Sequence, residues 1–342
     1  MQRCIELAQR GMGSVSPNPM VGAVIVCDGM IVGEGYHQKY GTAHAEVNAI
    51  NSVLNQFPDA HELFRRSTIY VSLEPCAHFG KTPPCADLII RMEIPHVVIG
   101  CRDPFSQVNG KGIEKLQNAG IRVTVGILEN ECLELNKRFF TRVQKQRPYI
   151  ILKWAQTQDH FFAPAIAGQK WITSTESKKL VHKWRSEENA VLSGKNTALI
   201  DDPQLNVREW EGRNPIRIII DRKLELPPNL HVFDQSQTTI VFNEIKTATE
   251  GKIKFLEVED FDHYLVQLIA YQLYIMDVQS VIVEGGTKIL SLFLQAGLWD
   301  EARVFTGPQT WGEGLQSPVI SGSPAEEIEI GPDRLAIFYN KD

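Results

Sequence analysis

No cysteine lies beyond Cys132, although the chain runs to 342 residues; all six (Cys4, Cys27, Cys76, Cys85, Cys101 and Cys132) fall in its first part. No apolar run approaches the roughly 18 residues of a membrane span, so no membrane partner is expected. There is no Lys/Arg run either, and 35 basic against 41 acidic residues leave a net charge of −6. Such a balance argues against a nucleic-acid partner. The opening MQRCIELAQRGMG lacks the apolar segment and small-residue cleavage site of an export signal, so a cytoplasmic location is expected. Thiols stay reduced there, which directs the cysteines to metal binding or burial rather than to disulfides.

What is present is average in kind. Hydrophobic residues make up 43%, charged residues 22%, with 25 Gly and 18 Pro, which excludes a disordered, collagenous or low-complexity chain. The length suits two domains. Short apolar, β-rich runs alternate with helical spacing throughout, for example a strand at 67–73, a helix at 83–92 and a strand at 96–100. A hairpin is expected at Cys27-Asp28-Gly29 and a single helix over 129–142. The polar stretch Gln144-Lys145-Gln146-Arg147-Pro148 reads as a linker, after which the alternation restarts. A strand at 301–306 is the last element expected. The pattern predicts α/β layers with a mixed sheet.

Chemistry concentrates first at His44-Ala45-Glu46, which opens a helix, and at Pro75-Cys76 with Cys85 nine positions after Cys76. One imidazole and two thiolates supply three zinc ligands and leave a fourth position for water, the arrangement of a catalytic rather than a structural zinc. Water on such a metal ionises near neutral pH. Glu46, two residues past the His ligand, would carry its proton to a departing amine. His-x-Glu followed by Pro-Cys and a second Cys is the pattern of zinc deaminases that act on bases, here with a longer spacer. The spacer presents His78 and Lys81, a pair suited to a substrate phosphate, and the Asn18 amide upstream suits a pyrimidine edge. His37 is close in sequence to the metal helix.

The second half offers weaker signals. Val281 to Thr287 reads as strand, Gly turn and helix, which suits a pyrophosphate at the helix start. Arg222-Lys223 follows a strand, where a basic pair can hold the 2′-phosphate of NADPH.

The segments PNPMVGAVIV, GTAHAEVNAI and EPCAHFGKTPPCADLI together resemble the deaminase half of the bifunctional riboflavin-biosynthesis deaminase–reductase family. WITS at 171–174, Arg185, Asp201-Asp202-Pro203, Leu205 to Arg208 and EGGT at 284–287 resemble its reductase half. The resemblance implies a cytidine-deaminase-like mixed-sheet α/β domain over 1–145 and a dihydrofolate-reductase-like α/β domain over 148–342. It implies zinc on His44, Cys76 and Cys85, with Glu46 as proton carrier, and substrate contacts from Asn18, His37, His78 and Lys81. In the second half it implies Lys153, Arg185, Leu205, Arg208 and Glu284 at the substrate. Trp171, Thr197, Asp201, Gly286 and Thr287 would then lie at NADPH, joining Arg222 as read from its strand end, with Arg185 and Arg208 suited to the ribose phosphate and Asp201 to orienting or protonating the sugar. The implied reactions are deamination of 2,5-diamino-6-ribosylamino-4(3H)-pyrimidinone 5′-phosphate by zinc hydroxide, then NADPH reduction of the ribosyl group to ribityl. A homo-oligomer is the expected assembly.

The chain departs from the family's usual pattern at Phe105, where Asn is common, at Gln158 and His160 after the first strand of the second half, and at Gln169. Two other readings compete. One is a nucleoside or tRNA zinc deaminase with a non-catalytic second domain. The other is a zinc-stabilised scaffold, which would have no use for Glu46.

Overall fold

A computed structural model of the chain describes residues 1–77, 83–105, 108–165 and 171–340. The chain divides into two compact units, Met1–Gln146 and Arg147–Asp342. None of the described helices is long and apolar enough to cross a membrane.

The first unit runs α1 (Gln2–Gln9), β1 (Gly22–Cys27), β2 (Met30–Tyr36), α2 (Ala45–Gln56), α3 (Ala60–Phe64), β3 (Ser67–Leu73), α4 (Cys85–Arg91), β4 (His96–Cys101), α5 (Lys111–Asn118), β5 (Arg122–Val125), α6 (Glu129–Leu135) and α7 (Lys137–Lys145). Its strands lie in the order β2-β1-β3-β4-β5. The β1 strand pairs antiparallel with β2 and β3, while β3, β4 and β5 run parallel, so the sheet is mixed as expected. Asp28 and Gly29 take positive φ values of 48° and 80°, the backbone of a tight two-residue hairpin closed by Cys27 and Met30. Ile25, Val71 and Ile99 on the sheet pack with Ile50, Val53 and Ile89 on the helices, all buried. Each such side chain contributes about 1.5–3 kcal/mol on burial. Gly35 on β2 is needed for close approach, because a Cβ there would lie 2.3 Å from the Ala49 nitrogen. This contact seats α2 against the sheet and so places the helix start that carries His44 and Glu46.

Two expectations in this unit need correction. The helix expected over 129–142 is two helices broken at Asn136. The Asn136 amide is buried, accepting from Met20 N and donating to Met20 O at 2.8 Å each, and its backbone leaves helical geometry to do so. Gln144 and Lys145 belong to α7 rather than to a linker; the chain leaves the helix at Gln146, whose φ is 51°.

The second unit runs β6 (Tyr149–Gln156), β7 (Phe161–Pro164), α8 (Thr175–Glu187), β8 (Ala190–Gly194), α9 (Lys195–Asp201), β9 (Ile216–Ile220), β10 (Thr239–Asn243), β11 (Ala248–Glu250), β12 (Ile253–Glu257), α10 (Leu265–Ile275), β13 (Ser280–Val283), α11 (Thr287–Gln295), β14 (Glu301–Thr306), β15 (Gly314–Gln316), β16 (Glu326–Ile330) and β17 (Asp333–Tyr339). The main sheet has the order β11-β12-β10-β9-β8-β13-β6-β14-β17-β16, and β15 pairs with β7 separately. From β12 to β14 along that order neighbouring strands are parallel, and β11, β17 and β16 add antiparallel pairs at the edges. The central strands are near-continuous apolar runs because both faces are covered.

Strand 301–306 is therefore not the last element. The β16 sequence Glu-Glu-Ile-Glu-Ile is mostly exposed at the sheet edge, so its charges hide a strand whose ladder is set by β17. Helix α9 was likewise not expected, being short and stabilised by the strand it follows. Because β8 and β13 are neighbours, the turns that lead into α9 and α11 lie side by side at the carboxyl ends of the sheet.

Candidate active sites

In the first unit His44 is the N-cap of α2 and Cys85 the first residue of α4, while Cys76 follows β3. The Sγ atoms of Cys85 and Cys76 lie 3.3 and 3.7 Å from His44 Nδ1. All three ligand atoms lie within 4.8 Å of one another. Donors held 2.0–2.3 Å from a tetrahedral centre stand roughly 3.4–3.8 Å apart, so this donor set fits zinc. The Cys76 thiol is lowered to about 4, chiefly because the Cys85 thiol donates to it and His44 also favours its anion; burial opposes both. The Cys85 backbone N–H adds a further hydrogen bond to Cys76 Sγ at 3.3 Å. One thiolate is thus favoured, that of Cys76, while the hydrogen bond to it and burial push the Cys85 thiol up.

Glu46 sits in the first turn of α2, 3% exposed. Burial pushes its carboxyl up to about 7 against the pull of His44, into the range where a carboxyl both takes and gives a proton. Asn18 and His37 are brought to the same place. His37 Nδ1 lies 3.0 Å from the Ala43 carbonyl, so that nitrogen carries the proton and Nε2 accepts from Asn18 Nδ2 at 3.0 Å. The His37 and His44 rings meet edge to face at 5.5 Å. His78 and Lys81 lie outside the described residues, as does Gln169.

One residue at this site escaped the sequence reading. Glu74, 4% exposed, accepts backbone N–H groups from Gly110 and Gly112 at 3.0 Å and from Ile113 at 3.3 Å. It ties the segment before Cys76 to the start of α5. A buried carboxylate two residues from a ligand is the signal that pointed to it.

The second unit holds two adjoining cavities of about 380 and 880 Å³. Lys153, Arg185, Leu205, Arg208 and Glu284 line the smaller one. Arg222, Gly286 and Thr287 line the larger, and Trp171, Thr197 and Asp201 line both. Every described residue expected in this half therefore falls on one connected hollow. Gly285 is where the two Gly turns touch: a Cβ there would lie 2.3 Å from Ser193 Oγ and 2.7 Å from Gly194 N. Gly286 then caps α11 with φ 66°. Ser193 Oγ is buried with no partner among the described residues, on the side of the smaller cavity; the Gly turn that opens α11 on the larger cavity is what suits a dinucleotide phosphate.

The charges are arranged differently from the expectation. Arg185 is committed to Glu284 through Nε and Nη2, both at 2.7 Å, and is thereby neutralised. Burial would raise the Glu284 carboxyl, but Arg185 and then Lys153, whose Nζ is 4.0 Å away, hold it well below the usual carboxylate range. Burial lowers the Lys153 ammonium and raises the Asp201 carboxyl. Arg208 is exposed and has no carboxylate partner among the described residues; it donates to Asn206 Oδ1 at 3.0 Å. At the far end Arg222 is held by Glu244 at 2.5 Å and Asp262 at 2.6 Å, and Lys223 also pairs with Glu244. The basic pair that a 2′-phosphate would use is thus balanced by two carboxylates.

Family models match both units: the cytidine and deoxycytidylate deaminase zinc-binding region over residues 1–101 and the RibD C-terminal domain over 148–333. The chain is 44% identical over 353 residues to the riboflavin biosynthesis protein RibD of Aquifex aeolicus, covering all of this chain and 97% of that one. It is 37% identical to RibD of Escherichia coli, over 91% of this chain and 88% of that one. Among solved structures, a diaminohydroxyphosphoribosylaminopyrimidine deaminase/5-amino-6-(5-phosphoribosylamino)uracil reductase from Thermotoga maritima matches with a TM-score of 0.89 at 40% identity, over 99% and 97% of the two chains. Acinetobacter baumannii RibD matches with a TM-score of 0.89 at 33% identity, over 100% and 98%.

Proposed function

The chain belongs to the RibD family of riboflavin-biosynthesis deaminase–reductases, and from that premise we propose how its residues divide the two reactions. It is an enzyme with a zinc-dependent deaminase and an NADPH-dependent reductase activity on a small-molecule substrate. The deaminase is assigned to residues 1–145 and the reductase to 148–342.

His44, Cys76 and Cys85 would hold the zinc. When bound, zinc supplies the Lewis acidity that makes water a nucleophile near neutral pH. The substrate is 2,5-diamino-6-ribosylamino-4(3H)-pyrimidinone 5′-phosphate. At its C2 a bond to oxygen forms and the bond to the amino nitrogen breaks, releasing ammonia. The Glu46 carboxylate receives the water proton and returns one to the departing nitrogen, a task that its carboxyl near 7 suits. Asn18, held by His37, presents its amide to the pyrimidine edge. His78 and Lys81 are assigned to the substrate phosphate.

In the second reaction NADPH supplies a hydride, here to the ribosyl C1′, and the ring opens to the ribityl chain. Trp171, Thr197, Gly286 and Thr287 would hold the dinucleotide, with Arg222 at its adenosine end. Arg208, which has no carboxylate partner among the described residues, takes the substrate's 5′-phosphate. Arg185 orients Glu284, and with Lys153 and Leu205 they enclose the substrate. Asp201, whose carboxyl burial pushes up, orients the opening sugar or donates a proton to it. Alignment by the protein is what remains to be supplied once the cofactor carries the hydride.

This reading also puts the enzyme in the cytoplasm as a homo-oligomer without nucleic-acid or membrane partners; the net charge of −6 supports the exclusion of nucleic acid. The observation that carries the whole is the His44, Cys76 and Cys85 cluster with buried Glu46 beside it. Incubating the diamino substrate with zinc-loaded protein should release ammonia without NADPH and yield 5-amino-6-ribitylaminouracil 5′-phosphate with it, as read by product mass. Protein that deaminates but never oxidises NADPH would contradict the assignment of the second unit.

A further inference from the structure

Within the smaller cavity of the second unit, His182 has no role in the account above, yet it is 1% exposed and lines the hollow with Arg185, Arg208 and Glu284. It precedes Arg185 by three residues on α8, so both side chains project from one face of the helix. The ring's hydrogen bonding settles its chemistry. Nδ1 lies 3.0 Å from the Asn206 carbonyl oxygen. A carbonyl only accepts, so Nδ1 carries a hydrogen, and in the neutral ring Nε2 is then a bare acceptor. Burial, and after it the charges of Arg185 and Arg208, hold the imidazolium down to about 4, so the neutral form persists at working pH. No protein group pairs with Nε2 among the described residues.

We propose that His182 is a substrate-recognition residue whose Nε2 accepts a hydrogen bond from a ribosyl hydroxyl, while its Nδ1–H braces the loop that carries Arg208. The surrounding groups favour this occupant. Asn206 links the two roles, its carbonyl receiving His182 and its side-chain oxygen receiving Arg208 at 3.0 Å. Arg208 has no carboxylate partner among the described residues and is assigned to the 5′-phosphate, and the ribosyl group next to that phosphate carries hydroxyls. The oxygen of a hydroxyl can accept from Arg185, Arg208 or Lys153, but its hydrogen needs an acceptor, which these three do not offer. Glu284 spends one lone pair of each oxygen on Arg185, and Asp201 on the same cavity is assigned to the opening sugar, so a further hydroxyl hydrogen is left for His182. The imidazole supplies an acceptor without adding negative charge near the phosphate.

The inference rests on the reductase assignment of the second unit, and the test separates the two. His182→Asn can keep the donor to the Asn206 carbonyl and loses the acceptor; His182→Gln places a polar amide where Nε2 stood. Both are compared with the zinc-loaded full chain in NADPH oxidation driven by 5-amino-6-(5-phosphoribosylamino)uracil. His182→Asn should raise KM for that substrate about 5- to 10-fold, as expected for one lost hydrogen bond. It should change kcat little, leave the NADPH dissociation constant and the thermal midpoint unaltered, and weaken competition by ribose 5-phosphate in proportion. His182→Gln should recover most of the KM. An unchanged KM, a KM rise without weaker ribose 5-phosphate competition, or a rise that accompanies a lowered midpoint and resists the Gln replacement overturns the proposal. Wild-type protein that neither uses the substrate nor oxidises NADPH overturns the reductase reading first, and this inference with it.

Discussion

Arg185 and Glu284, 99 residues apart in sequence, meet through two parallel hydrogen bonds of 2.7 Å at the floor of the reductase cavity. Both side chains are about nine-tenths buried, at 11% and 9% exposure. Removing one partner leaves the other charge buried without compensation, which costs about 3–5 kcal/mol. Arg185→Leu and Glu284→Leu should each destabilise the second unit by that order in urea unfolding. The double variant should lose less than the sum of the two single losses, because neither member of the pair is then left buried without the other. All three should lose NADPH oxidation. Additive losses in the double variant would mean that the pair is not a coupled unit.

Asn136 makes a comparable prediction in the first unit. Its amide satisfies both the N–H and the carbonyl of Met20, and Asn136→Ala strands both groups where water cannot reach them. The expected cost is about 2–4 kcal/mol. Met20 lies two residues after Asn18, so KM for deamination should rise as well. A variant as stable as the wild type would show that α6 and α7 can merge into one helix without penalty.

Asp103 should make stability depend on pH. It is 7% exposed, and burial pushes its carboxyl up to about 6 from an ordinary 3.8. A raised folded-state value means that the contribution to stability is complete below about 3.8 and is lost as pH rises through about 6. At pH 8 the deficit is about 3 kcal/mol. Asp103→Asn, which keeps an oxygen for the Phe105 N–H, should therefore flatten the pH dependence of the first unit's thermal midpoint between pH 4 and 8. An unchanged slope would assign that dependence to other groups.

Glu46 and the metal can be separated. Glu46→Gln should slow ammonia release by about 10²–10⁴-fold while bound zinc, counted by elemental analysis, stays at the wild-type level. Loss of zinc from that variant would make Glu46 a structural support of the ligands. Stripping zinc with a chelator should stop ammonia release and leave reduction of already deaminated substrate intact.

Much of the deaminase site was legible in the sequence because its parts are short and local. A helix start carrying His44 and Glu46, and a strand followed by Cys76 and Cys85, need only neighbouring residues to be recognised. The alternation of β1 with β2 and the apolar runs of β6 and β13 were legible for the same reason. Asn136 was not, since a helical spacing of apolar residues says nothing about an amide required by Met20, 116 residues away. Nor was β16, whose exposed, charged edge lacks the apolar signal of a central strand; β17, Asp-Arg-Leu-Ala-Ile-Phe-Tyr, does carry an apolar run and was missed all the same.

Composition and motif spacing by themselves determined that this chain carries a three-ligand zinc pattern in front and a thiol-free α/β half behind. They could do so because metal ligands and hydrophobic period are written in nearest neighbours. Only the tertiary structure decided which charges are free. It pairs Arg185 with Glu284 and Arg222 with Asp262 and Glu244, leaves Arg208 without a carboxylate among the described residues, and turns His182 into a neutral acceptor. A cation's availability depends on which carboxylate the fold sets beside it, and that partner lies tens of residues away.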